Sequence, residues 1–255
     1  MSVRAHGGTG ETTGPGPATW RPLAPRLPGY ALIAAVVLGM LSLGLPNIAP
    51  GVDFLSAEGS PVRMFFGVSE EMNLPTFLSV MVVVAAACLH VLVGWLVGGR
   101  TGLAFHVTGA VLLALAFDDF AALHERLKAV VDLVLPAGSD GYLWVVPALV
   151  PAAVVVAAFW QVGKVVHGPA RRDLLLGLLV FLLAAFGLET VNGLLDRPGT
   201  NGAPLQLGTH LEELTEDIGL ILLLRGSLAM LETTGRRVLG VRVAPSAVDS
   251  PVPTR

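Results

Sequence analysis

Long apolar runs separated by short polar connections dominate the chain. Six of them, at residues 30–46, 76–98, 103–125, 142–163, 174–195 and 209–231, have the roughly 17–25 residues that a helix needs to cross a bilayer. The pattern predicts an all-α fold: a polytopic membrane helix bundle with six transmembrane helices, forming one domain over residues 30–232. The first run has the look of a secretory leader. The 29 residues ahead of it, however, are too many and too rich in Pro and Gly for an ordinary leader, so it reads as an uncleaved span. The tails, residues 1–29 and 233–255, lack apolar periodicity and are predicted to be disordered.

Basic residues orient the spans. Arg4, Arg21 and Arg26 precede the first run, and Arg100 lies in the GGRTG turn after the second. Lys164, Arg171 and Arg172 follow the fourth run, and Arg236, Arg237 and Arg242 follow the sixth. These segments alternate onto one side, which predicts both termini in the cytoplasm. The opposite side receives the 47–75 loop, with Asp53, Glu58, Glu70 and Glu71 against Arg63, and the 196–208 loop. Arg126 and Lys128 are its exception. Arg225, near the inner end of the sixth run, is expected to snorkel to the headgroups.

Composition reinforces the class. Hydrophobic residues make up 53% and charged residues 14% of the chain, with a mean hydropathy of +0.72, which places it in a plasma membrane as a multi-pass protein whose first partner is the lipid bilayer. A net charge of -3 and the absence of a basic patch exclude a nucleic-acid partner. Cys88 is the only cysteine, so no intramolecular disulfide can form. No G-x-x-x-x-G-K-[ST] loop, HExxH helix or GxSxG elbow occurs, which removes nucleotide-driven, zinc-protease and serine-nucleophile chemistry.

Against this background the acids stand out. Eight of the 19 fall in three windows inside apolar surroundings: DDFAALHE at 118–125, GLE at 187–189 and LEELTED at 211–217. A carboxylate at the centre of a span costs at least about 2.5–3.5 kcal/mol, so it marks function by default. Asp118 and Glu189 each come some 15 residues into an outward-running helix, about 22 Å up, and Glu212, Glu213 and Glu216 fall in the first turns of an inward-running one. All three windows are therefore expected at one depth, in the outer half of the bundle. On a continuous third helix, Asp118 and Glu125 would share a face, with Asp119 and His124 about 100° to either side. Glu212 pairs with Glu216, and Glu213 with Asp217, at four-residue spacing. Glu189 has Asn192 nearby, with Gly187 and Gly193 to allow close helix approach.

Two ionised carboxylates 4 Å apart repel by roughly 4 kcal/mol at an effective dielectric near 20, so such a cluster requires protons, buried cations or a metal. Carboxylates and imidazole projecting inward from several helices are how di-metal carboxylate bundles are built, although the Glu-x-x-His pairing of that class is missing here. The expected site is a divalent metal centre with Asp118, His124, Glu125, Glu189, Glu213 and Glu216 as ligands, and Asp119, Asn192, His210, Glu212 and Asp217 in supporting or alternative roles. For Glu212 and Asp217 a helix-start charge is the competing reading. His90 and His106 read as satisfied core histidines. The Asn73–Thr76 step reads as the entry to the second helix, with Pro75 in its first turn, or as part of the site lining.

The stretches SEEMNLPTFLS (69–79), LAFDDFAALHERL, FGLETVNGLL and THLEELTEDIGLILL resemble a family of uncharacterised six-helix bacterial membrane proteins, frequent in actinobacteria, over about residues 65–232. Its third-helix motif, an acidic pair followed by His-Glu, lands on Asp118, Asp119, His124 and Glu125, with Asp119 standing where the family tends to have Glu. Its later motifs land on Glu189 and on Glu212, Glu213 and Glu216, closed by Gly219. The resemblance implies an architecture and a site position, with no activity attached. The resulting expectation is a metal site supporting hydrolytic or redox chemistry, with a lipid or small amphiphile as substrate. The alternatives are a proton- or cation-coupled transporter and a structural or sensory subunit.

Overall fold

The computed structural model describes residues 26–48, 51–57, 59–70, 72–123, 126, 145–195 and 202–238, and every regular element among them is helical. Helix α1 spans Leu27–Ile48, followed by the short α2 (Asp53–Ser56) and α3 (Pro61–Phe66). Then come α4 (Leu74–Val97), α5 (Gly99–Ala121), α6 (Val145–Gly163) and α7 (Gly168–Leu182). Helix α7 runs without interruption through a π-helical segment, Leu183–Leu188, into α8 (Glu189–Leu195), and α9 covers Ala203–Val238.

A helix overlaps each of the six apolar runs. By length and apolarity, four described helical stretches could cross a membrane: Leu27–Ile48, Leu74–Val97, Gly99–Ala121 and Gly168–Leu195. The fourth run supplies only the shorter apolar stretch Pro147–Gly163. The sixth run lies in a continuous 36-residue helix whose apolar character is broken by its own acids and Arg225. Helix α9 begins at Ala203, earlier than expected, and continues to Val238, into the stretch assigned to a tail. Residues 1–25 and 239–255 lie outside the described residues.

Local chemistry sets the ends that matter for the site. Asn73 caps α4, its Oδ1 accepting from the Thr76 N–H at 3.1 Å while its Nδ2 donates to the carbonyls of Glu70, at 2.6 Å, and Gly67. Pro75 sits in the first turn, where its missing N–H leaves nothing unsatisfied. Between α4 and α5 the chain reverses on Gly98 and Gly99, at φ 67° and 58°, a conformation without strain only for glycine. Helix α5 stops at Ala121, because Ala122 adopts the left-handed region (φ 52°, ψ 42°) and its N–H turns back to the carbonyls of Asp118 and Asp119. The continuous third helix through residue 125, on which the Asp118–Glu125 pairing relied, is therefore absent.

Helix α9 is the central rod, packed against α7, α4 and α1, while α5 lies on α4 and α6 bridges α5 and α7. Glycine makes the α7–α9 contact intimate. A Cβ on Gly177 would lie 2.7 Å from the Gly219 carbonyl oxygen, and one on Gly219 would lie 2.6 Å from the Phe181 nitrogen. Such backbone-to-backbone approach is how helices associate where lipid removes the hydrophobic drive. The core along this axis includes Ala86, Val93, Leu112, Phe159, Leu174 and Leu223. At the other end of α7, Arg225 donates from Nε and a terminal nitrogen to both carboxylate oxygens of Asp173, at 2.7 and 2.9 Å. Arg225, expected only to snorkel, thus neutralises a buried acid on the neighbouring helix.

Candidate functional site

Helices α4, α5, α6 and α9, with the π-helical segment and its flanks, enclose a cavity of about 650 Å³. Six carboxylates line it: Asp118 and Asp119 from α5, Glu189 from the start of α8, and Glu213, Glu216 and Asp217 from α9. The rest of the wall is largely apolar and includes Val83, Val111, Leu115, Val155, Phe181, Phe186 and Leu220. Among the described lining residues there is no Lys, Arg or His.

Helical periodicity aims these groups. On α9, residues 213, 216, 217 and 220 recur at the spacing of one face, as do 111, 114, 115 and 118 on α5. The π-helical segment adds residues within the turn preceding Glu189, and Phe186 and Glu189 both reach the wall. The Thr190 hydroxyl takes up the Phe186 carbonyl at 2.5 Å. Across the α4–α5 interface, the Ser79 hydroxyl donates to Asp119 Oδ2 at 2.7 Å.

The charges share one field. Glu213 experiences those of Asp217, Asp119, Glu212 and Glu189, and Glu216 those of Glu213, Glu212, Asp119 and Glu189. All three sequence windows thus contribute to one electrostatic unit with no basic side chain in its described wall. Each close pair of ionised carboxylates costs about 4 kcal/mol at 4 Å and a dielectric near 20, and a cation entering the cavity relieves that cost.

The expected metal ligands divide into two groups. Asp118, Glu189, Glu213 and Glu216 lie on the cavity wall, while His124 and Glu125 lie outside the described residues. Among the described residues, no three or more His, Cys, Asp or Glu side chains come together as a group that could hold a metal ion. Asp119 and Asp217, given supporting roles, line the wall as fully as the others. The helix-start reading of Glu212 and Asp217 fails, because α9 begins at Ala203 and has no acid in its first turn. These residues stand about two and a half to four turns inside it.

Three supporting residues have structural partners away from the lining. Asn192 is buried and donates from Nδ2 to Glu212 Oε2 at 2.5 Å, and Glu212 is buried as well. Gly208, one turn before Glu212, leaves the space that the Asn192 side chain occupies. The close approach expected from Gly187 does not involve it, since nothing stands within 4 Å of its missing side chain. His210 bridges elements, with Nδ1 2.7 Å from the Gln206 carbonyl and Nε2 2.9 Å from the Ser42 hydroxyl. That hydroxyl also accepts the Val68 N–H at 3.1 Å, tying α1 and the turn after α3 to α9. His90 is fully buried against Phe159, its Nδ1 2.9 Å from the Ala86 carbonyl. The Nε2 atoms of His90 and His106 have no hydrogen-bond partner among the described residues, so these histidines are not the fully satisfied core groups expected.

The residue-level reading missed Ser79 and the apolar half of the wall. Ser79 closes the SEEMNLPTFLS motif, so its position was marked while its role was not. Phe181, Ala148 and Val155 come from segments with no polar feature, and Phe186 opens the FGLETVNGLL motif without a role assigned to it; only packing reveals that they share a cavity with acids.

Residues 30–231 match the model of a family described as Domain of unknown function (DUF8692), a match that includes α1. No curated protein and no solved structure matches the chain.

Proposed function

The chain belongs to the DUF8692 family, and from that premise we propose that it is an integral protein of the plasma membrane that binds a cation in its acidic cavity. Both termini face the cytoplasm and the cavity lies in the extracytoplasmic half. The observation that carries this reading is the lining itself: six carboxylates from α5, α8 and α9 around one space, with no basic side chain among the described lining residues. Along α9, Leu220 is followed by the buried Ile221, Leu223 and Leu224 before the next polar group, Arg225, which pairs with Asp173. That apolar layer favours a binding site closed on the inner side over a continuous ion path.

A divalent metal ion is the second reading, and the all-oxygen donor set of the wall favours a hard cation such as magnesium, calcium or manganese. Asp118, Glu189, Glu213 and Glu216 would hold it, with His124 and Glu125 completing the set. A bound metal would supply an activated water for hydrolytic chemistry. The described carboxylates would have to draw closer to do so.

Equilibrium titration of the full chain in lipid nanodiscs tests the proposal, with manganese, calcium and alkylammonium ions as probes. Saturable binding of at least one of them is expected, weakened about tenfold or more in the Asp118→Asn, Glu189→Gln double variant, a loss of ~1.4 kcal/mol. Absence of saturable binding by every probe overturns the cation reading. Elemental analysis after chelator-free purification, with Asp118→Ala and Glu189→Ala alongside, decides the metal reading: no stoichiometric metal in the parent chain removes it.

A further inference from the structure

We propose that Arg172 and Arg225 form a headgroup site for an anionic phospholipid, with the buried acid between them as the group that orients both. The site is separate from the acidic cavity, and it leans on the proposed topology only for the leaflet, which is the cytoplasmic one. Asp173 is 4% exposed. Arg225 of α9 spans its two oxygens from Nε and one terminal nitrogen, at 2.7 and 2.9 Å, and Arg172 of α7 reaches Oδ1 from Nε and one terminal nitrogen, each at 3.2 Å. One oxygen thus receives a nitrogen from each guanidinium, and the two cations lie side by side across the α7–α9 contact.

A single carboxylate balances only one of the two arginines. The remaining positive charge sits on side chains that are 71% and 48% exposed, and the second terminal nitrogen of each guanidinium lies outside the triad. Guanidinium forks match the oxygens of a phosphate, so an anionic headgroup balances the charge that Asp173 leaves. Arg100, Lys164, Arg171, Arg236 and Arg237 add positive charge at the same end of the bundle, where the further acid among the described residues, Glu232, is paired with Arg236. A zwitterionic headgroup would bring its own ammonium to this surface, which therefore favours anionic lipids.

The surroundings favour a phosphate carried by a lipid. Trp95 and Trp160 are exposed and stand within three residues of the ends of α4 and α6 that face this side. Indole rings collect at the level of the headgroups. From Arg172, the residues at i+4, i+7 and i+11 along α7 and its continuation are Leu176, Leu179 and Leu183, which share one helical face and are exposed among the described residues. They do not line the acidic cavity. At 1.5 Å per residue this stripe rises about 16 Å, close to the roughly 15 Å of hydrocarbon in one leaflet. A guanidinium pair at its foot meets headgroup and acyl chain together.

Binding to the full chain in neutral detergent, read by native mass spectrometry, tests the site with dioleoyl phosphatidylglycerol, dioleoyl phosphatidylcholine and glycerol phosphate as probes. Phosphatidylglycerol is expected to bind saturably and about tenfold tighter than either of the others. Arg172→Gln should weaken it about tenfold, and Arg225→Gln should do the same from the other helix, so the result does not hang on one variant folding. Arg237→Gln removes the same charge from the same end without touching the triad, and should change the affinity by less than about twofold. Equal losses in Arg172→Gln and Arg237→Gln mean diffuse attraction to a basic end and overturn the site. Phosphatidylcholine binding as tightly as phosphatidylglycerol, or no saturable binding of either, also overturns it. Glycerol phosphate binding as tightly leaves a site for soluble phosphate and overturns the lipid.

Discussion

Ser79 Oγ and Asp119 Oδ2 stand 2.7 Å apart across the α4–α5 interface, forty residues apart in sequence. The bond gives the second acid of the Asp118–Asp119 pair a partner that sequence spacing assigned to neither. It also ties one wall of the cavity to the next, so the orientation of Asp119 depends on α4. Ser79→Ala should therefore lower stability by about 0.6–1.7 kcal/mol, the range measured for interhelical hydrogen bonds in membranes. Unfolding in a graded denaturing detergent measures it.

Asn192 and Glu212 form another polar contact between segments, and its polarity is fixed by charge: the amide donates and the carboxylate accepts. Asn192→Asp sets two carboxylates against each other and should destabilise more than Asn192→Ala. Combining Asn192→Asp with Glu212→Gln reverses donor and acceptor and should recover about half or more of the loss. An equal effect of Asn192→Asp and Asn192→Ala in the same assay would count against the contact.

Gly219 offers a steric prediction. A methyl group there meets the Phe181 backbone at 2.6 Å, with no flexible side chain to move aside. Gly219→Ala should cost about 1–3 kcal/mol, and should loosen the cavity because α7 and α9 carry two of its walls. Gly187→Ala, with nothing within 4 Å, should stay within about 0.5 kcal/mol of the parent chain.

Asp173 and Arg225 predict an asymmetry. Asp173 is buried, whereas the Arg225 side chain is 48% exposed. Arg225→Leu leaves the acid with only Arg172, at 3.2 Å, and should cost about 1–3 kcal/mol. Asp173→Asn releases an arginine that can reach water and should cost less. The double variant should be more stable than Arg225→Leu alone.

Orientation is testable by labelling on a Cys88→Ser background. An impermeant maleimide added to intact cells should modify Gly202→Cys and leave Arg171→Cys untouched until the membrane is permeabilised. The reverse pattern would move the cavity to the cytoplasmic half.

The rods were legible because the signal for each is local: an apolar run of sufficient length, broken by glycine, proline or charge. Their ends were less so. Ala122 in the left-handed region is an unusual choice for alanine, and nothing in LAFDDFAALHERL announces it. The start of α9 at Ala203 lies in a stretch that reads as a loop, and its early start removes the helix-end explanation for Glu212 and Asp217. The π-helical segment before Glu189 is likewise invisible in composition, since LAAFGL fits an ordinary helix.

By itself, the order of apolar runs and acids determined that this is a bundle of long helices carrying carboxylates from three distant windows, because burial of a charge in apolar surroundings is costly wherever it occurs. Which acids share a wall was decided only by tertiary packing. Glycine contacts set the register of α7 against α9, α6 touches both α5 and α7, and the resulting space sets six carboxylates in an otherwise largely apolar wall. Periodicity along one helix cannot specify the angle and height of another, so Ser79, Phe181, Phe186 and the separation of Glu212 from the cavity emerge only when the helices are together.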